Sequence, residues 1–192
     1  MMTTPLSQTV QESAPASRWT PPLVARALLT TVLVLYSTAL FRAPGFALMD
    51  NINLPVHETG HLVFGAFGEF IAALGGSLFQ VMVPLAFVIH FMRRDDSHSA
   101  SVALWWTGQS LWNVAIYVAD AQEQELPLVG GGEHDWAYLL AEMDLLRQDD
   151  AVASMVRFAG TMLIMAAMLW GYRSLLRSAR GTGDSAGIPG AA

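Results

Sequence analysis

The chain has 192 residues, of which 53% are hydrophobic and only 14% are charged, and its mean hydropathy is +0.40. Soluble domains carry about 25% charged residues, so this composition excludes an ordinary soluble domain and indicates a lipid-embedded protein. The net charge is −6, and nine acidic residues against one arginine lie between positions 120 and 150, which excludes nucleic acid as a partner.

The first predicted elements are a tail and a membrane span. Residues 1–20 are rich in Ser, Thr, Pro and Gln, so we expect a disordered tail. A span is predicted from Leu23 to Phe41, bounded by Pro21-Pro22 and by a turn that begins at Arg42. After a loop, Asn53 is the candidate cap of a helix that opens just before His57.

The next apolar segment, from Pro55 to Met92, has two interpretations. It forms either two spans that turn at Gly75-Gly76, or a short helix that ends near Gly68 followed by one long span. If the short helix does not cross, the arginines divide seven to three between the two sides, and if it crosses they divide six to four. The positive-inside rule therefore favours the non-crossing version, which alone places His57 on the side of the later acidic loop.

Two further spans are predicted, from Ala100 to Ala119 and from Val152 to Leu176. Between them lie an acidic loop with a run of three glycines at 130–132 and a short amphipathic helix from Asp135 to Leu146. Residues 178–192 are rich in Gly and Ser and are expected to form a disordered tail.

The predicted fold is an all-α integral membrane protein with about four transmembrane helices, a short helix that carries a metal motif, and a short amphipathic helix. The membrane-embedded domain covers residues 21–177, the lipid bilayer is its first partner, and both termini are expected in the cytoplasm. All ten basic residues are arginine, and together with the many alanines and glycines this points to a GC-rich bacterial genome; the expected location is therefore the inner membrane of a bacterium.

The motif that carries chemistry is His57-Glu58-Thr59-Gly60-His61, an HExxH pattern. Histidines four residues apart lie one turn apart on a helix, so both imidazoles reach one metal, while Glu58 is rotated by about 100° and can hold a metal-bound water. The chain has no cysteine, so any metal must be bound by His, Asp or Glu. Zinc lowers the pKa of its water toward about 7, and Glu58 would take the proton. The alternative is an incidental polar pair at the start of a helix.

A transmembrane chain with this motif resembles the site-2-protease-like intramembrane zinc metalloproteases. The resemblance implies that His57 and His61 bind Zn²⁺ and that Glu58 is the general base. It also implies that an Asp from a later membrane segment is the third ligand, preceded by an Asn that assists the transition state. Asn113 and Asp120 stand in that order here, although Asp120 is followed by Ala where the family typically has Gly. The implied reaction is peptide-bond hydrolysis in membrane-associated polypeptides.

Three residues are candidates for the third zinc ligand. His134 ranks first because neutral imidazole suits zinc, Asp120 ranks second, and Asp135, which also fits a first-turn position of the amphipathic helix, ranks third. Asp120 ends a polar stripe on its span that includes Asn113 and Tyr117, and these two residues are candidates for stabilising the oxyanion. Hydrogen bonding inside a helix bundle is the other explanation of the stripe.

Two other functions agree with the same sequence. A zinc hydrolase acting on a lipid or on a small amide would use the same residues. A non-catalytic membrane protein with a structural or relic zinc site would keep the histidines without using Glu58 as a base. The number of protein ligands separates these classes, since a structural zinc is closed by four and a catalytic zinc leaves one position open.

Overall fold

The computed structural model describes residues 21–43, 45, 48–127 and 133–184, and the described residues form helices and turns without a strand. The six α-helices in this part of the chain are α1 Pro21–Arg42, α2 Asp50–Phe64, α3 Glu69–Met92, α4 Ser97–Ala119, α5 Asp135–Glu142 and α6 Asp149–Asp184. Short 3-10 turns at Gly65–Phe67 and Leu146–Gln148 follow α2 and precede α6. The tail predicted at 1–20, the glycine run at 130–132 and residues 185–192 lie outside the described residues.

Three described segments are long and apolar enough to cross a membrane, namely Pro21–Arg42, Glu69–Met92 and Leu146–Arg180. Helix α4, predicted as a further span, has 23 residues but is not among them. It carries many polar residues, of which Thr107, Gln109 and Ser110 are buried, and it packs against α2, α3 and α6. The prediction of a helix at α4 is therefore confirmed. Only the other three described segments have the hydropathy expected of a membrane span.

The predicted break near Gly68 is confirmed. Gly68 has φ +94°, a conformation that favours glycine, and it separates the turn after α2 from the start of α3. Helix α3 then continues through Gly75-Gly76 without a turn, so the version with two spans meeting there is excluded. Helix α2 has 15 residues and is roughly 22 Å long, too short to cross about 30 Å of hydrocarbon.

Helices α2 and α3 pack as an antiparallel pair because their glycines let the backbones touch. A Cβ atom on Gly60 would overlap the carbonyl oxygen of Gly75, and one on Gly75 would lie 2.6 Å from Cβ of Phe64 on α2. Such distances are not compatible with side chains at these positions. The imidazoles of α2 are thereby brought directly against α3.

The start of α2 differs from the prediction. The helix begins at Asp50, its N-cap is Met49 without a side-chain bond, and Pro55 lies inside it. Asn53 is therefore not a cap; its amide donates to Gln109 Oε1 at 2.7 Å and its Oδ1 accepts from Trp106 Nε1 at 2.9 Å. These bonds lead to the middle of α4, so α2 starts inside the bundle rather than at its surface.

The last two helices also differ in length from their predictions. Helix α5 ends at Glu142 rather than near Leu146, and α6 continues to Asp184, into the segment for which a tail was predicted. Leu139 and Leu140 of α5 are 1% and 0% exposed and pack against α4 and α6. Full burial of such a side chain contributes about 1.5–3 kcal/mol, so α5 is anchored firmly beside the bundle.

Candidate metal centre

The two motif histidines point the same ring nitrogen toward one carboxylate. His57 Nε2 lies 3.1 Å and His61 Nε2 lies 3.2 Å from Oδ2 of Asp135. His57 is buried and the other two residues are partly buried. Among the described residues this is the group of His, Asp and Glu side chains whose ligand atoms all lie within 4.8 Å of one another.

The tautomer of His61 follows from its backbone contact. His61 Nδ1 lies 2.8 Å from the carbonyl oxygen of Ala72, which can only accept a hydrogen bond. Nδ1 therefore carries the proton and donates it to Ala72. The lone pair of neutral His61 is then on Nε2, the atom that faces Asp135.

The tautomer of His57 is set through one further residue. Gln80 Nε2 lies 3.4 Å from the carbonyl oxygen of Ser110 and 2.7 Å from Oδ1 of Asn113, so the amide nitrogen of Gln80 faces those acceptors. Its Oε1 consequently faces His57 Nδ1, at 3.2 Å, and accepts the proton that Nδ1 carries. The lone pair of His57 is again on Nε2.

Three acceptors therefore meet at one point. Two imidazole lone pairs and a carboxylate oxygen repel each other unless a cation lies between them, and a bound proton or metal supplies that charge. Ligand atoms about 2.0–2.1 Å from a tetrahedral zinc lie roughly 3.3 Å apart. The two His–Asp135 separations of 3.1 and 3.2 Å are close to this value, and all three ligand atoms lie within 4.8 Å of one another, so this set of donors could hold a metal ion such as zinc.

Gly76 forms the wall of this cluster on α3. A Cβ atom on Gly76 would lie 2.5 Å from His57 Nε2 and 2.6 Å from His61 Nε2. The space that a side chain would occupy is therefore the space in front of both ligand atoms. Position 76 must lack a side chain for the imidazoles to present these atoms to an ion.

Asp135 is held in place by Tyr117 and by the start of α5. The backbone N–H of Asp135 donates to the Tyr117 hydroxyl at 3.1 Å, and that hydroxyl lies 3.4 Å from Asp135 Oδ2 as a donor. Trp136 Nε1 donates to Ser77 Oγ at 3.0 Å, which ties the same turn to α3. Tyr117, a candidate for the oxyanion, thus has its hydroxyl engaged with a ligand residue.

His134 and Asp120 form a separate pair. His134 caps α5, with Nδ1 accepting from the N–H of Ala137 at 3.1 Å, so its proton is on Nε2 and is donated to Asp120 Oδ2 at 3.3 Å. Asp120 also accepts the backbone N–H groups of Glu125 and Leu126 at 2.9 and 3.0 Å. Both ring nitrogens of His134 are therefore occupied. The structure brings Asp135 to the motif histidines, whereas the predicted order put His134 first and Asp120 second.

The cluster opens into a cavity of about 660 Å³. Glu58 and Asn113 both line it, as do acidic residues at its margin, Glu69 and Glu133. Glu58 thus lies in the same cavity as the ligand atoms, as the spacing of the motif predicts. The amide of Asn113 also borders the cavity while its Oδ1 accepts from Gln80.

Two residues of the centre were missed in the sequence. Gln80 is a lone amide within an apolar span, and a polar residue at such a position is by default a functional candidate, so it carried a readable signal. Gly76 carried a weaker one, since a glycine pair in a span indicates only close packing.

Comparison with protein-family models, with curated proteins and with solved structures found no match for this chain.

Proposed function

We propose that this protein is a zinc-dependent membrane protease in which His57, His61 and Asp135 hold the metal and Glu58 is the general base. The observation that carries the proposal is the convergence of two imidazole lone pairs and one carboxylate oxygen at 3.1–3.2 Å. Both Nδ1 atoms donate to other acceptors, so each neutral imidazole directs its Nε2 lone pair at the position of the ion.

The ligand count supports catalysis over a structural role. The cluster among the described residues has three members, and a structural zinc is normally closed by four protein ligands. When bound at such a site, zinc supplies an electrophile that polarises a carbonyl and acidifies a water molecule.

The residues of the cavity supply the proton transfers. Glu58 accepts a proton from a water molecule in the cavity and delivers it to the amine that leaves when the peptide bond breaks. The amide Nδ2 of Asn113 is the donor available for the oxyanion, because its Oδ1 is engaged with Gln80. Tyr117 acts as a positioning residue that orients Asp135.

The depth of the centre favours a membrane-associated substrate. Gly76 is the eighth residue of α3, so the cluster lies roughly 11 Å along the helix from Glu69. We propose that α4 is the fourth span, enclosed by α3 and α6, and that both termini are in the cytoplasm of a bacterium, with the protein in its inner membrane. The cleaved bond would then lie just inside the membrane on the opposite face.

The charge of the cavity favours a polypeptide over an anionic lipid. Five acidic residues line the cavity, namely Asp50, Glu58, Glu69, Glu133 and Asp135. No Lys or Arg is found among the described residues that line it. Anionic head groups would meet like charge at the margin, whereas a neutral or basic peptide segment would not.

The test uses purified protein reconstituted in vesicles with a fluorogenic peptide that contains one apolar segment. Glu58→Gln should keep its zinc and lose cleavage by about 10²- to 10⁴-fold, since Gln retains the shape but cannot accept the proton. His57→Ala should lose zinc and cleavage together. The matched control is Glu123→Gln, an exposed acid that does not line the cavity. Wild-type cleavage by Glu58→Gln would overturn the proposal and leave a structural zinc site.

A further inference from the structure

A second cavity, of about 380 Å³, lies at the end of the bundle away from the metal centre. It is formed by the start of α1, the turn between α3 and α4, and the far part of α6. Its lining is polar and includes three arginines from three different elements, two aspartates, a histidine and three serines, namely Arg26, Arg94, Arg177, Asp95, Asp96, His98, Ser97, Ser174 and Ser178.

One of these arginines is neutralised within the protein. Arg26 pairs with Asp96 at 3.5 Å, and Asp96 in turn accepts hydrogen bonds from Ser99 N at 3.2 Å and Ser99 Oγ at 2.7 Å. Arg94 and Arg177, by contrast, are exposed and form no ion pair with any residue that the structure describes. The three arginines outnumber the two lining aspartates, Asp95 and Asp96, so the cavity has one positive charge in excess, and neither Arg94 nor Arg177 is held in an ion pair with a described residue.

The walls of the cavity are held by contacts that do not involve those two groups. His98 is 3% exposed, and its Nε2 lies 3.1 Å from Thr30 Oγ1, which itself donates to the carbonyl oxygen of Arg26. This chain joins α1 to α4 beside the cavity. The α1 and α4 walls of the cavity are thus fixed to each other by contacts within the protein.

The position of the cavity matches the head-group layer of a bilayer. Arg94 follows the end of α3 by two residues, and Arg26 lies in the first two turns of α1. Apolar side chains next to the cavity residues are exposed on the same helices, with Met92 54%, Tyr172 57% and Leu176 40% accessible. A lipid can therefore place its phosphate on the arginines and its acyl chains along this apolar surface.

We propose that this cavity binds the phosphodiester head group of an anionic phospholipid. Arginine pairs with phosphate through two parallel N–H donors, and Arg94, in the turn after α3, and Arg177, on α6, both line this cavity. Ser97 and Ser174 line the same cavity and add polar side chains beside the head group, while the Ser178 hydroxyl donates to the carbonyl oxygen of Ser174. The inference is independent of the metal centre and of its proposed activity.

The experiment measures the thermal unfolding midpoint of the delipidated full-length protein in detergent. Three additions are compared: phosphatidylglycerol, phosphatidylcholine and inorganic phosphate. A ligand that binds only the folded state raises the midpoint, so phosphatidylglycerol should raise it and the other two should not. A rise with inorganic phosphate alone would identify a free-phosphate site, and an equal rise with phosphatidylcholine would show unspecific lipid binding; either result overturns the proposal.

Variants locate the effect. Arg94→Gln and Arg177→Gln should each weaken phosphatidylglycerol binding about fivefold, and the double variant roughly 25-fold. The control is the double variant Arg42→Gln, Arg147→Gln, which removes the same charge from the opposite end and should bind as wild type. Arg94 and Arg177 are exposed and form no ion pair with a described residue, so each single variant is expected to fold. If the double variant does not fold, the single variants still test the proposal. Wild-type affinity in the single cavity variants would overturn the assignment.

Discussion

His57 and Asp135 approach to 3.1 Å between Nε2 and Oδ2, although 78 positions separate them along the chain. Asp135 reaches this place because it begins α5, whose leucines are buried against the bundle and whose first turn is capped by His134. The geometry of the candidate metal centre therefore depends on how α5 docks, and variants of residues around Asp135 have different expected effects.

The third ligand can be identified by zinc content. Asp135→Ala should lose most of the zinc, because it removes the oxygen that both imidazoles face. His134→Ala should retain far more, because the ring nitrogens of His134 are engaged with Ala137 N–H and Asp120. Zinc per protein, measured by elemental mass spectrometry, checks this order, with Glu133→Ala as the neighbouring acidic control. Full zinc occupancy in Asp135→Ala would show that the cluster is not the ligand set.

A single methyl group at position 76 should block the site. In Gly76→Ala the new Cβ would lie 2.5–2.6 Å from both ligand nitrogens, so zinc should be lost and the helices should move apart. Overpacking of this kind costs about 1–3 kcal/mol of stability. Gly65→Ala is the control, since a Cβ there meets nothing within 4 Å. Zinc content and unfolding midpoint are measured for both, and normal zinc binding by Gly76→Ala would contradict the geometry described above.

Gln80 is expected to set the affinity for the metal without touching it. Gln80→Leu keeps the volume but removes the acceptor for His57 Nδ1–H, which leaves the ring free to turn. Loss of such a partner typically lowers metal affinity about 10–100-fold. Competition with a zinc chelator measures this affinity. The control Gln122→Leu removes a side-chain bond to Asp149, remote from the centre, and should leave the affinity unchanged.

The dependence of stability on pH should include a contribution from Asp96. The hydrogen bond from the Ser99 hydroxyl, together with the Ser99 N–H and Arg26, lowers the pKa of Asp96 despite partial burial, which acts in the opposite direction. A carboxyl whose pKa is lower in the folded state stabilises the protein above its unfolded pKa of about 3.9 and loses that effect as the pH falls through the folded value. Acid unfolding of Asp96→Asn should therefore be less steep than that of the wild type below about pH 4. Identical acid profiles for the two proteins would remove Asp96 from the explanation.

Local features of the chain could be predicted from the sequence because they depend on residues close together along it. Composition predicted helices long and apolar enough to cross a membrane, and three described segments have that character. The apolar runs predicted where the helices lie. The break at Gly68 was predicted because His57 had to lie on the same side as the acidic loop. The pairing of His57 with His61 is also local, since a spacing of four places both rings on one helix face. The same motif predicted that Glu58 lies beside the two histidines, and Glu58 lines the same cavity.

The partners of these residues were decided by tertiary structure. His134 and Asp135 are adjacent, and both residue types can bind zinc. The docking of α5 places Asp135 beside His57 and His61. His134 instead caps α5 and donates a hydrogen bond to Asp120. Asn53, predicted as a cap, bonds to α4 because α2 starts within the bundle. These outcomes depend on which helix faces meet across long chain separations. Burial of α5 and the backbone contact of α2 with α3 select one arrangement, and neither is encoded in the spacing of any single motif.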